Sequence, residues 1–370
     1  MSMDTASGVV PPSPPMRRAL ALARRALGTT SPNPAVGAVL VRDGEVVGEG
    51  CTQPPGGPHA EAVALRRAGE RARGATLYIT LEPCCHTRKR TPPCTRAIVA
   101  AGVAGVHVAT LDPNPQVSGR GVEALRAAGI EVTVGEGEPE ARQVNEAYFK
   151  HMATGLPFVT AKFAMSLDGK IATASGDSRW VSGPVARQLA HRLRRQADAV
   201  MVGINTVLAD DPRLTARDGA ARVVKSPLRV VVDSRGRLPP TARLLSEPGD
   251  TVLATVGPQP KVNAQVWPLP GEGGRVDLPA LLAQLGQRGV MSVLVEGGGV
   301  LLASLLKAGL VDKLHAVISP IIIGGAAAPT PVAGKGVEKV AQALGLARVR
   351  VERRGPDIIV SGYIKGYEPQ

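Results

Sequence analysis

Four residues constrain this chain more than anything else in it: His59 and Glu61 in Pro58-His59-Ala60-Glu61, Cys84 in Glu82-Pro83-Cys84, and Cys94 after Pro92-Pro93. A zinc ion that activates water needs three protein ligands and one open position, and an imidazole with two thiolates supplies that set with a borderline-soft match. His59, Cys84 and Cys94 fit it. Glu61 lies too near His59 to ligate the same metal comfortably, yet from the start of a following helix it reaches metal-bound water, which makes it the proton shuttle. Taken singly, each of these residues reads as structural, because a lone Cys behaves as a small hydrophobe. A closed structural zinc site also remains open on the sequence, with Cys85 or His86 as fourth ligand. The spare glutamate argues for the open geometry.

The order H-x-E followed by P-C is that of zinc-dependent base deaminases, which replace an exocyclic amine on a ring carbon by water. The runs Ser31-Pro32-Asn33-Pro34-Ala35-Val36-Gly37, His59-Ala60-Glu61, Glu82-Pro83-Cys84 and Thr91-Pro92-Pro93-Cys94 resemble the deaminase half of the bifunctional riboflavin-biosynthesis deaminase/reductases. The Thr-Pro-Pro-Cys ending is specific to that family. Cytidine and tRNA deaminases usually place their two thiolates three positions apart, whereas here a basic loop over 85–93 separates them. The chain departs from the family pattern in two places: that loop is one residue longer, and Thr52 stands where the family often has a histidine.

At 370 residues the chain is long enough for two domains with separate cores. Its four cysteines include two assigned to metal, which leaves no disulfide framework and suits a reducing cytoplasm. The segment 16–27 is an apolar run repeatedly broken by Arg. It reads as a first domain helix, with an Arg-rich transit segment as the alternative. Nothing approaches the ~20 apolar residues of a membrane span. The formal charge of +13 suits nucleic acid or small phosphorylated ligands. With three Phe, four Tyr and two Trp there is little to stack bases on, so the expectation is a small phosphorylated substrate, no nucleic acid, no membrane, and self-association into a homo-oligomer.

In chain order, 36–42 and 45–50 are β-rich runs joined at Asp43-Gly44, a hairpin signal. The helix after His59 carries Arg66, Arg67, Arg71 and Arg73, read as solvated. A strand over 75–80 delivers Cys84 to a strand-to-helix junction, where helix amides stabilise a thiolate. A helix near 95–101, a strand at 106–110, a helix near 121–128, a strand at 130–134 and a helix over 138–150 complete an α/β layered domain. A change of signals then places the domains at 1–147 and 148–370.

In the second half, Phe158 to Met165 reads as a strand running into Ser166-Leu167-Asp168-Gly169-Lys170, and this resembles the reductase half of the same family. Ser178-Arg179-Trp180, the stretch from Thr206 to Thr215, and Val295-Glu296-Gly297-Gly298-Gly299 extend the resemblance to nearly the whole chain. The glycines let backbone amides approach a pyrophosphate at a helix start. They are not a Rossmann fingerprint, because the G-x-G-x-x-G spacing is missing. After a strand at 230–233, Ser234-Arg235-Gly236-Arg237 offers a hydroxyl and guanidinium groups to the extra phosphate of NADPH.

The resemblance implies an N-terminal cytidine-deaminase-like α/β layered domain and a C-terminal dihydrofolate-reductase-like α/β domain. It also implies Zn2+ and NADPH as cofactors. Cofactor contacts follow at Ala164, Trp180, Thr206, Asp210, Ser234, Gly298, Gly299, Val300, Leu301, Leu302, Ala303 and Ser304, with substrate contacts at Ser178, Arg194, Leu214, Arg217 and Glu296. Lys162 and Asp210 are the candidates for proton handling. The implied reaction is deamination of a phosphoribosylamino-substituted diaminopyrimidine, followed by reduction of its ribosyl group to ribityl.

Overall fold

The computed structural model describes residues 10–86 and 92–366. Thr91 and most of the basic loop expected over 85–93 lie outside these residues. The chain forms two compact units that part between Thr154 and Gly155.

The first unit contains α1 (Pro14–Ala26), β1 (Gly37–Arg42), β2 (Glu45–Cys51), α2 (Ala60–Ala68), β3 (Thr76–Ile79), α3 (Cys94–Ala100), β4 (Gly105–Val108), α4 (Arg120–Ala127), β5 (Glu131–Val134), α5 (Glu138–Val144) and α6 (Glu146–Thr154). Its sheet runs β2-β1-β3-β4-β5. The β1–β2 hairpin turns on Asp43 and Gly44, both at positive φ, as a two-residue turn matched to strand twist requires. α1 is a domain helix: Ser13 caps it, and Met16, Ala19, Leu20 and Leu22 pack with Val39, Ala109 and Ala141.

One expected helix, over 138–150, is two. It breaks at Asn145, whose side chain leaves the local backbone to accept from the Ala35 amide at 2.8 Å and donate to the Ala35 carbonyl at 3.0 Å. The second piece, α6, runs through the boundary expected between residues 147 and 148, and the chain passes from the first compact unit to the second after Thr154.

The second unit contains β6 (Phe158–Ser166), α7 (Pro184–Gln196), β7 (Ala199–Gly203), α8 (Ile204–Asp210), a ribbon of β8 (Ala216–Arg217) and β9 (Val223–Lys225), β10 (Leu228–Val232), β11 (Thr251–Thr255) and β12 (Gln265–Pro268). A second ribbon of β13 (Gly271–Glu272) and β14 (Arg275–Val276) leads to α9 (Leu278–Gln287), β15 (Ser292–Glu296), α10 (Gly299–Lys307), β16 (Lys313–Ser319), β17 (Leu346–Arg354) and β18 (Asp357–Ile364). The nine-stranded sheet runs β12-β11-β10-β7-β15-β6-β16-β18-β17. It is parallel from β12 to β16, and β18 and β17 are antiparallel at the edge. Strands buried on both faces read as apolar runs rather than alternations. Val200, Val202 and Leu294 accordingly pack in one cluster on one face, and Met201, Val293 and Val295 pack with α9 and α10 on the other.

Candidate active sites

The metal group forms where two helix starts meet a strand end. His59 is the N-cap of α2, and Glu61 is the second residue of that helix, 3% exposed. Cys94 is the first residue of α3, and Cys84 follows β3. His59 Nδ1 lies 3.6 Å from Cys84 Sγ and 3.4 Å from Cys94 Sγ. Ligands around a tetrahedral zinc, at Zn–N ~2.05 Å and Zn–S ~2.3 Å, stand about 3.6 Å apart. The donor set therefore fits zinc.

Cys85 does not join it. Its sulfur faces the Gln116 carbonyl at 3.8 Å, and the metal-ligating group among the described residues is His59, Cys84 and Cys94. Neither Cys85 nor His86 closes the site, so a ligand position stays open beside Glu61. Burial pushes the Glu61 carboxyl up from the usual carboxylate range, and the Cys84 charge adds to the rise.

The placement of Cys84 corrects one expectation. Among the described residues no helix begins directly after it. The helix amide that reaches its sulfur is that of Cys94, at 3.5 Å, from a helix ten residues further on. The Glu-Pro-Cys segment is instead held by Glu82. Its carboxylate accepts from the amides of Asp112 (3.1 Å), Gly119 (2.9 Å), Gly121 (2.8 Å) and Val122 (3.1 Å), tying the first thiolate to the start of α4. A Cβ at position 121 would collide with the Pro83 carbonyl, so only glycine allows this approach.

Sequence reasoning passed over Asp112, although an acid-proline pair directly after a strand was there to see. It accepts from the Tyr148 hydroxyl at 2.9 Å, and burial lifts its carboxyl to about 6. Thr52 is spent on the fold: its hydroxyl accepts from the Val36 amide at 3.1 Å while its own amide donates to the Val36 carbonyl. Arg66, Arg67, Arg71 and Arg73 are exposed.

In the second unit the expected cofactor residues fall along one edge. β10, β7, β15 and β6 are parallel neighbours, and their carboxyl ends carry Ser234, Thr206, Gly298 and Ala164 in turn. Open α/β sheets bind ligands in the crevice at this edge. Gly297 and Gly298 both have left-handed φ and lie against Thr206, and a Cβ at Gly299 would stand 2.7 Å from the Thr330 carbonyl. The ladder of α10 begins with the Leu302 amide donating to the Gly298 carbonyl, so the amides of Gly299, Val300 and Leu301 have no partner inside the helix. This cradle fits a dinucleotide phosphate.

The expected run is narrower in space than in sequence. The side chains of Leu301 and Leu302 are core, the Leu302 amide is spent, and the Ser304 hydroxyl donates to Val300. Ser234 accepts from the Val276 amide at 3.1 Å, which leaves its O–H to donate. Trp180 is 69% exposed under the Arg187 guanidinium.

The expected substrate residues surround a second centre. Arg194 grips Glu296 through two bonds of 2.6 and 2.7 Å and donates to the Thr215 carbonyl. Burial lowers the Lys162 ammonium while Glu296 opposes it, and Arg194 holds the Glu296 carboxyl low against the effect of its burial. Thr215 Oγ1 and Arg217 Nε are buried without a partner. Arg194, Arg213 and Arg243 all add positive field at Arg217, which favours an anion beside it. Ser178 donates to Asp210 at 3.0 Å, which joins one expected substrate residue to one expected cofactor residue. Leu214 has its side chain in the core and is 2% exposed.

Residues 13–110 match the cytidine and deoxycytidylate deaminase zinc-binding region, and residues 157–360 match the RibD C-terminal domain. The riboflavin biosynthesis protein RibD of Escherichia coli is 44% identical, over 93% of this chain and 96% of that protein. The protein of the same description from Synechocystis sp. is 44% identical over 95% and 96%. Among solved structures, Acinetobacter baumannii RibD aligns with a TM-score of 0.86 at 39% identity, over 95% of this chain and 98% of that one. A diaminohydroxyphosphoribosylaminopyrimidine deaminase/5-amino-6-(5-phosphoribosylamino)uracil reductase from Thermotoga maritima aligns with 0.84 at 34% identity, over 95% and 97%.

Proposed function

The chain belongs to the RibD family of riboflavin-biosynthesis proteins, and from that premise we propose that it carries out both reactions for which its Thermotoga relative is described. It is a bifunctional enzyme with a deaminase-like half and a dihydrofolate-reductase-like half, using zinc and NADPH. The observation that carries the first activity is the His59–Cys84–Cys94 group, left open beside a buried Glu61.

Bound zinc supplies a water whose pKa is lowered to about 7. With the metal held by His59, Cys84 and Cys94, Glu61 would take a proton from water and return it to the departing ammonia, so that water is consumed and ammonia released. In the second reaction NADPH supplies the hydride. Gly299, Val300 and Leu301 would offer amides to its pyrophosphate, Arg194 and Arg217 would receive the substrate phosphate, and Lys162, beside Glu296, would donate the one proton that accompanies the hydride to the opened ribosyl group. Anaerobic incubation with the diaminopyrimidine and NADPH, following ammonia and NADPH absorbance together, tests the pair of reactions. Ammonia without NADPH oxidation would leave only the deaminase.

The two units are taken as the two catalysts. Residues 1–154 should bind zinc and release ammonia from the diaminopyrimidine without NADPH. Residues 155–370 should oxidise NADPH only when given the deaminated product. A zinc-loaded first unit that released ammonia only with the second unit and NADPH present would place reduction first and defeat this order.

Cofactor choice should rest on Ser234 and Arg235. Changing both to alanine is expected to lower the NADPH-over-NADH preference in kcat/KM about tenfold, an effect that fades with salt. An unchanged ratio would assign the discrimination to other residues.

Self-association is supported by an apolar strip at the sheet edge, where Val351 (65% exposed) and Val360 pair in register and Ile358 (42% exposed) lies on the same face. The mass of the intact chain by light scattering checks this, and a monomer would refute it. Among the described residues no helix is long and apolar enough to cross a membrane.

A further inference from the structure

Residues 320–334 leave the carboxyl end of β16 and return to the sheet edge that carries the cofactor residues. Asp168 holds the near end of this strap. Its carboxylate accepts the Ser166 hydroxyl at 2.6 Å, the Ile323 amide at 3.1 Å and the Gly324 amide at 2.7 Å. The Leu167 amide donates to Ile321, and the Ile171 amide to Pro329, each at 2.9 Å. The Lys170 ammonium donates to the Ala328 carbonyl at 3.4 Å, and Ala328 is buried among exposed neighbours. At the far end the Ala333 amide donates to the Gly299 carbonyl at 3.1 Å, and the Thr330 carbonyl occupies the space a Gly299 side chain would need.

The strap thus links two elements that are far apart in sequence. Its near anchor is the turn that ends β6, two residues beyond Ala164. Its far anchor is the first residue of α10, whose amides make the phosphate cradle. Backbone bonds from Leu167 and Ile171 and the Lys170 ammonium also reach the strap, but among the described residues Asp168 makes the one carboxylate contact to it, with a charge-assisted bond to each of two consecutive amides. The Ser166 hydroxyl and those amides also keep that carboxyl low, at about 2, so the anchor stays ionised across any working pH.

We propose that Asp168 is a positioning residue for NADPH in the reductase reaction, acting through the 320–334 strap to hold Gly299 and the amides after it in register with the end of β6. The role rests on the reductase reading of this unit. Asp168 touches neither cofactor nor substrate in it. Removing the anchor should loosen the cradle and weaken cofactor binding, with little change in the hydride step once NADPH is bound.

The test uses the full zinc-loaded chain. Asp168→Asn keeps the size but turns an amide N–H toward one of the two backbone donors, and it is expected to raise the Kd for NADP+ by calorimetry about tenfold. KM for NADPH should rise in parallel, with kcat for reduction and ammonia release held near wild type. Hydrogen exchange should show the 320–334 amides losing protection and the amides of Gly299 to Leu301 losing the added protection that NADP+ confers on wild type. Ala333→Pro, which removes the single donor at the far anchor, should reproduce the loss of affinity if Asp168→Asn folds poorly. A strap that exchanges freely while NADP+ affinity stays at the wild-type value would overturn the proposal, as would unchanged exchange together with unchanged affinity. Failure of wild type to bind NADP+ at all would count against the reductase reading instead.

Discussion

Replacing Glu61 by glutamine is expected to abolish ammonia release while leaving zinc in place. The amide keeps the shape of the side chain at the second position of α2, so the His59–Cys84–Cys94 group should persist. What it loses is the ability to take a proton from water and give it back to the leaving amine, a contribution worth about 10²–10⁴-fold. Because the carboxylate is buried against the thiolates, no neighbouring solvent-borne base replaces it readily. Metal content by emission spectroscopy and ammonia release are read on the same sample, with reduction of supplied deaminated substrate as the control. Ammonia release at the wild-type rate would end the assignment. His59→Ala, which removes the nitrogen that faces both sulfurs, should lose the metal as well as the activity.

The second large effect belongs to Arg194. Its guanidinium makes both short bonds to Glu296, and the two side chains are 14% and 10% exposed. Arg194→Leu keeps the bulk on α7 but strands a buried carboxylate, a change that typically destabilises by about 3–5 kcal/mol. Lys162 is also drawn to Glu296, which should hold the loss toward the lower end of that range. Denaturant unfolding of the second unit should show a lower midpoint, and NADPH oxidation should fall with it. Zinc content and ammonia release should not move, because the metal group lies in the first unit. An unfolding midpoint equal to wild type would mean that the pair carries no net stability.

Most of the deaminase centre was legible before any coordinates. Ligand identity is a matter of residue chemistry: the residue types and order of His59, Cys84 and Cys94 pointed to a metal group, and the three stand together. The Asp43-Gly44 turn was equally plain, because positive φ at two successive residues is a local property of those side chains and nothing distant is needed to impose it. The reductase half was legible mainly through resemblance. Its glycines and arginines are individually weak signals, and their meaning lies in which strand ends stand side by side.

The sequence by itself therefore determined the metal-ligand types, the hairpin and the α/β alternation, which depend on residue type, periodicity and short spacing, and it carried the family through resemblance. Tertiary structure alone decided what joins residues far apart in the chain. Asn145 breaks a helix because its amide bonds Ala35, 110 positions away. Glu82 locks the first thiolate through amides up to 40 positions on. Arg229 is 1% exposed and donates to Thr251 and to the carbonyls of Glu247, Pro248 and Gly249, 18 to 22 positions on. In the run from Gly298 to Ser304 the helix ladder leaves the first amides without a partner inside the helix and spends the Leu302 amide. A buried polar group must find a partner, and only the packed chain sets which partners come within reach.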